Sequence, residues 1–165
     1  MIRIAERPDL PVILHIYEAA RRYMRGNGNP TQWGDSNPLR STLEEDIRLC
    51  QLYVDVQGGA IHSVFAFVLG EEPTYARIDG AWPNDAPYAT IHRIASDGTV
   101  KGAFARCMEF CKARSDELRI DTHENNRTMR HLIAKHGFVE RGIIHIADGT
   151  PRIAYQYSKT ADQPR

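Results

Sequence analysis

An excess of charge of either sign is missing from this chain of 165 residues. Its 21 lysines and arginines are met by 21 aspartates and glutamates, so the formal net charge is zero. That balance excludes a whole-chain attraction to nucleic acid or to an anionic membrane, and no basic stripe stands out locally. Long apolar runs are missing too. Stretches such as SVFAFVL (63–69) fall far short of the roughly 20 residues that span a bilayer. The opening MIRIAERPDLP has no charged segment followed by an apolar one, so no signal peptide is expected and a cytoplasmic location follows. Cysteine is scarce. Cys50, Cys107 and Cys111 form no CxxC pair, which argues against a zinc ribbon or a disulfide scaffold. All three are expected to be buried as small hydrophobes. The seven histidines show no HxxH or HExxH spacing and no paired Cys/His pattern, so no metal is expected.

What is present suits a globular protein. The hydrophobic fraction is 42% and the charged fraction 25%, and the length is enough for one domain with a core of its own. No repeat or linker divides the chain, so residues 1–157 are expected to form a single domain and the polar residues 158–165 a flexible tail. MIRIAE (1–6) alternates like a strand. Pro8 and Asp9 then open a helix with apolar positions Ile13, Ile16, Tyr17, Ala20, Tyr23 and Met24, closed by Gly26 and Gly28. A long polar loop (26–40) precedes a helix that Ser41 and Glu44 are expected to begin as a capping box. Gly58-Gly59 marks a hairpin, and residues 73–79 are a candidate third strand of that meander. Residues 88–96 read as a strand, 100–114 as a helix, 117–123 as a strand and 125–137 as a helix. A last hairpin turns at Asp148-Gly149. This order predicts an α/β (α+β) fold: a mixed, mostly antiparallel, twisted sheet of about six to seven strands, with about four helices on both faces.

The segment IASDGTVKGAFARCMEF (94–110) places two glycines, a lysine and a threonine between a strand and a helix. A Walker A loop fails on spacing from Gly98, and the dinucleotide fingerprint fails because Gly98 and Gly102 are four apart. A helix N-terminus still offers unpaired N–H groups and the positive end of a dipole to an anion. A tight strand-to-helix connection and a phosphate cradle both fit this loop alone.

Two blocks together narrow the choice. Thr99-Val100-Lys101-Gly102-Ala103-Phe104 is similar to the [Q/R]-x-x-G-x-[G/A] loop of the GNAT superfamily of acetyl-CoA-dependent N-acetyltransferases. Thr99 and Phe104 depart from that pattern and Gly102 keeps it. IDTHENNRTMRHLIAKHGF (120–138) resembles the second block of the family, with Asn126, Lys135, Gly137 and Phe138 in matching places. The resemblance extends over about residues 1–157. It implies a GNAT fold whose strand before the loop carries a bulge and splays from the next strand to admit acetyl-CoA. Ile94, Ala95 and Ser96 would bind the pantetheine arm through their backbone. Thr99, Val100, Lys101, Gly102, Ala103 and Phe104 would hold the pyrophosphate, and Asn126 and Met129 would line the other side of the arm.

The chemistry so implied is attack of a neutral amine on the thioester carbonyl, which needs a base and an oxyanion donor. The backbone N–H of Ile94 is the candidate oxyanion donor. His92 is a candidate base, two residues away and so on the same strand face, or else a buried histidine bonded within the sheet. The family's usual tyrosine acid is Ile133 here. Tyr155 is a candidate replacement, or a structural tyrosine. Gln32, Trp33 and Tyr88 are candidate acceptor-site residues, with Trp33 read either as a lid or as an anchor for its loop. The expected acceptor is a small-molecule or peptide amine, and a homodimer fits the family. The alternative function is a binding module of the same fold that holds acetyl-CoA or another ligand without turnover.

Overall fold

A computed structural model describes residues 1–159. Of the tail expected over 158–165, Ser158 belongs to the last strand and the Lys159 N–H donates to the Asp116 carbonyl (2.9 Å), and the rest lies outside the described residues. The strands are β1 (Ile2–Ile4), β2 (Leu52–Gln57), β3 (Ala60–Leu69), β4 (Asp79–Gly80), β5 (Ala89–Ser96), β6 (Glu117–Thr122), β7 (Val139–His145) and β8 (Pro151–Ser158). The α-helices are α1 (Leu10–Gly26), α2 (Arg40–Arg48), α3 (Ala103–Lys112) and α4 (Arg127–Lys135). The eight strands form one sheet in the order β1-β2-β3-β5-β6-β8-β7-β4; β5 and β6 run parallel, whereas β1–β2, β2–β3, β6–β8, β8–β7 and β7–β4 pair antiparallel. This is the mixed, mostly antiparallel sheet expected, with β4 as an additional short strand.

The chain divides into two compact units, Met1–Phe67 with His92–Cys107, and Val68–Ile91 with the residues from Met108 on. In the first, the apolar period of α1 buries Leu10, Ile13, Ile16, Tyr17 and Met24. Leu43 of α2, Leu52 and Val54 of β2, and Val64 to Phe67 of β3 are buried as well. Burial of each such side chain contributes roughly 1.5–3 kcal/mol before entropy is counted. The β2–β3 hairpin turns on Gly58 and Gly59, both with positive φ (59° and 83°), as a two-residue turn of matching twist requires.

The second unit carries β6, β8, β7 and β4, together with the N-terminal end of β5, where Ala89 and Thr90 pair with Leu118 and Arg119. Alternation along β6 and β8 gives two chemically different faces. Leu118, Ile120, Ile153, Tyr155 and Tyr157 make an apolar set. Glu117, Arg119, Asp121, Arg152 and Gln156 make a polar one. The Tyr157 ring meets that of Phe138 at a tilt of 44° and carries the Lys112 ammonium 4.1 Å from its centre. Asn126 caps α4 by accepting a hydrogen bond from the Met129 N–H (3.1 Å).

Four local expectations change. Helix α2 begins at Arg40 with Leu39 as its cap, and Glu44 bonds Arg40 (2.9 Å) instead of closing a box with Ser41. Residues 73–79 are not a strand. Pro73–Tyr75 form a 3-10 turn, and pairing begins only at Asp79, against β7. Helix α3 starts at Ala103, three residues later than its apolar pattern suggests, because Gly98 and Gly102 adopt positive φ. Cys50 is exposed: it follows α2 at φ 55°, while Cys107 and Cys111 are buried as expected.

Candidate functional site

The first unit holds the strand-loop-helix segment. Strand β5 is distorted at Arg93, which stands at φ 52°, the left-handed backbone typical of a bulge. Three contacts fix that conformation. The Tyr17 hydroxyl donates to the Arg93 carbonyl (2.7 Å), and the guanidinium grips buried Asp46 through Nε (2.8 Å) and Nη2 (2.9 Å). Burial of Tyr17 pushes its phenol well above the ordinary range, so it remains a donor. The left-handed residue lies between His92 and Ile94, so the two-residue period that was to place them on one face does not run through it. Both side chains are half-buried; Ala95 is buried and Ser96 half-buried.

Beyond Ser96 the chain turns on its own side chains. Ser96 Oγ accepts from the Gly98 N–H (3.1 Å). Asp97 Oδ1 accepts from the Thr99 N–H (2.9 Å) and hydroxyl (2.7 Å). His62 of β3 joins them, with Nδ1 2.8 Å from Asp97 Oδ2 and 2.9 Å from Thr99 Oγ1. Burial would raise the Asp97 carboxyl, but the hydrogen bonds from Thr99 and His62 hold it below the usual range.

Gly102 opens α3 at φ 80°, a conformation that most side chains resist, and a Cβ there would come 3.1 Å from the Arg106 guanidinium. Arg106 in turn donates to the Lys101 carbonyl (2.7 Å) and to buried Asp55 (2.6 Å). Lys101 is exposed, whereas Phe104, one of the two departures from the family loop, is buried. Its ring therefore fills the core, and the backbone of the first turn keeps donors that have no acceptor inside the helix. Thr99 is different: its N–H and hydroxyl are already committed to Asp97.

The acceptor candidates separate. Trp33 meets the buried ring of Tyr17 edge-on, with centres 5.5 Å apart, and Gln32 accepts from Asn29 Nδ2 (2.8 Å). Both hold the 26–40 loop in place, the anchoring arrangement that was one of the two readings of Trp33. In the second unit, Tyr88 accepts from the Glu72 N–H (2.8 Å), and its ring centre lies 3.9 Å from the Arg119 guanidinium. Tyr155 also lies in this unit, buried at a cavity of about 360 Å³ that Arg127, Arg130, His131 and Glu140 help to line. Burial raises its phenol despite a hydrogen bond from Arg130, so it stays protonated at neutral pH. In the same unit, the Tyr75 hydroxyl donates to Asp121 (2.6 Å), and burial with the charge of Arg152 pushes His123 down.

His62, Asp97, Asp46 and Arg93 were not singled out from the sequence. Their only local signal was Asp97-Gly98-Thr99, a turn-forming triplet. The rest of the arrangement depends on residues distant in the chain. Among the described residues, no group of three or more His, Cys, Asp or Glu is placed to hold a metal, and no helix is long and apolar enough to cross a membrane.

The sequence matches no protein-family model and no curated protein. Solved structures do match. A GNAT-family acetyltransferase from Streptococcus agalactiae is 30% identical, with a TM-score of 0.85 over 96% of this chain and 95% of its own. A candidate acetyltransferase of Staphylococcus aureus Mu50 is 27% identical, with a TM-score of 0.70 over 96% and 99%. A Salmonella typhimurium protein solved with its cofactor acetyl-CoA is 13% identical and shares the fold, with a TM-score of 0.62 over 96% and 93%. The chain belongs to the GNAT family of acetyltransferases.

Proposed function

We propose that this acetyltransferase takes its acetyl group from acetyl-CoA and transfers it to a primary amine of a small molecule or peptide, by direct attack in a ternary complex. The observation that carries the reading is the opening of α3: Gly102 at φ 80° brings no Cβ of its own to a helix N-terminus whose first N–H groups have no acceptor inside the helix. The diphosphate of acetyl-CoA suits those donors, Val100, Lys101, Gly102, Ala103 and Phe104 supplying them, with the Lys101 ammonium alongside. Ile94, Ala95 and Ser96 present the strand backbone for the pantetheine amides. Asn126 and Met129 are the candidates from α4, and residues 1–157 are taken as one catalytic domain.

In the step proposed, His92 takes a proton from the acceptor ammonium. The free amine then attacks the thioester carbon, and the Ile94 N–H donates to the oxyanion. The attacking nitrogen then gives up its second proton to solvent, and collapse of the intermediate breaks the carbon–sulfur bond and releases the thiolate of coenzyme A. Tyr155, held protonated, is the candidate proton source for it.

A coenzyme A release assay over a panel of amines separates turnover from binding without turnover. Gly102→Glu is expected to weaken acetyl-CoA binding at least about tenfold, roughly 1.4 kcal/mol. Gly102→Asn, which tolerates left-handed backbone, should retain more affinity than the glutamate. Unchanged affinity in Gly102→Glu, measured by calorimetry, would remove the diphosphate from this loop.

A further inference from the structure

We propose that His62 is a positioning residue that keeps the carboxylate of Asp97 turned away from a diphosphate bound at the α3 loop, an inference that rests on the acetyl-CoA reading. The β2–β3 register brings His62 to the loop. Asp55 pairs with Ser63 and Val56 with Ile61, so His62 is one residue too many on β3 and has no partner across the pair. A bulge of this kind re-aims a side chain. The His62 carbonyl accepts from the Asp97 N–H (3.0 Å), one residue past the end of β5. Backbone and side chain of one residue thus hold the same aspartate.

The donor and acceptor roles follow from chemistry. Ionised Asp97 only accepts, and the Thr99 hydroxyl hydrogen goes to Asp97 Oδ1 (2.7 Å). The proton of the imidazole therefore lies on Nδ1, shared between Asp97 Oδ2 (2.8 Å) and the Thr99 oxygen (2.9 Å). Three donors, the Nδ1–H, the Thr99 hydroxyl and the Thr99 N–H, then engage both carboxylate oxygens. An aspartate in a loop that receives a diphosphate would otherwise repel it. Without His62, Oδ2 loses its donor and its charge is no longer held toward β3.

The role predicts a dependence on the part of the donor that carries phosphate. His62→Ala should raise KM for acetyl-CoA about tenfold with kcat within about twofold, and leave KM for S-acetylpantetheine, which lacks the diphosphate, unchanged. Asp97→Asn in the His62→Ala background should restore most of the affinity for acetyl-CoA by removing the charge. His62→Gln, whose amide can donate to Asp97, should stay near wild type and serves if the alanine variant does not fold. Equal KM increases for both thioesters would show a merely structural role and overturn the proposal, as would an unchanged KM for acetyl-CoA in His62→Ala. Wild-type protein that neither binds nor turns over acetyl-CoA would instead overturn the cofactor reading, and this role with it.

Discussion

The two compact units bury charge in different ways. The first pairs carboxylates with nitrogen donors at directional, hydrogen-bonded contacts: Asp46 with the Arg93 guanidinium, Asp55 with that of Arg106, and Asp97 with the His62 imidazole. Each pair immobilises backbone that matters for the proposed chemistry, namely the left-handed residue of β5, the start of α3 and the loop between them. The second unit holds Arg119 chiefly with rings and neutral groups. Its guanidinium lies 3.8 Å from the Trp82 ring centre and 3.9 Å from that of Tyr88, and Nε donates to Gln156 (2.8 Å). Burial lowers Arg119, although neighbouring tyrosines and Glu117 oppose that shift. Rings tolerate small displacements of a cation over their faces, whereas a two-pronged carboxylate contact fixes distance and direction together. Ion pairs are therefore found where a strained backbone must keep one shape, and ring stacks where the irregular segment 70–88 must lie down on a sheet.

If that contrast is right, breaking an ion pair in the first unit should cost more than weakening a stack in the second. Asp46→Ala leaves the Arg93 guanidinium without its carboxylate and Gln51 without an acceptor. A loss of about 3–5 kcal/mol is expected in chemical denaturation, as for other buried pairs broken on one side. Replacing both partners, with Asp46→Leu and Arg93→Met, should recover part of this stability but not catalytic rate, since nothing then dictates the left-handed turn. Arg119→Lys tests the other side. The ammonium keeps the charge but loses the planar stack and the fork, so a loss of about 1–2 kcal/mol is expected. A larger loss for Arg119→Lys than for Asp46→Ala would invert the comparison.

These differences also explain what was legible in the sequence. Features set by residues a few positions apart could be read: the Gly58-Gly59 turn, the Asn126 cap, the Asp148 turn that accepts from Thr150, and the helical period of α1. The family likeness rested on similar local blocks, and the fold it implied is the one found. Where a local motif had a competitor the reading failed. Ser41 and Glu44 could have capped α2, but Arg40 took the glutamate. The polar frame of the candidate site was hidden for a different reason. Asp46 and Arg93 are 47 residues apart, and His62 and Asp97 are 35. A bulge at His62 depends on how β2 and β3 pair, which no short stretch of sequence states. The contrast of His92 and Ile94 is instructive as well: counting by twos along β5 assumed regular backbone, and Arg93 breaks it.

The smallest effect should appear on acidification, again in the first unit. Burial alone would raise the Asp55 carboxyl, but hydrogen bonds from Gln57 and Arg106 and the charges of Arg106 and the amino terminus hold it down. Asp97 is held down in the same sense. A carboxyl that binds its proton less readily in the folded state contributes stability above its unfolded value, near ~3.9, and loses it as pH falls through the lower folded value. Stability should therefore drop with pH below about 4, because the unfolded chain takes up more protons there. Asp97→Asn removes one such group, so the variant should lose less stability than the wild type between about pH 4 and pH 2.5. Arg119→Lys removes no carboxyl and should leave the acid slope as it is. Urea titrations at stepped pH would separate the two. A parallel slope for Asp97→Asn and wild type would show that the His62–Asp97 contact does not hold its charge in the folded protein.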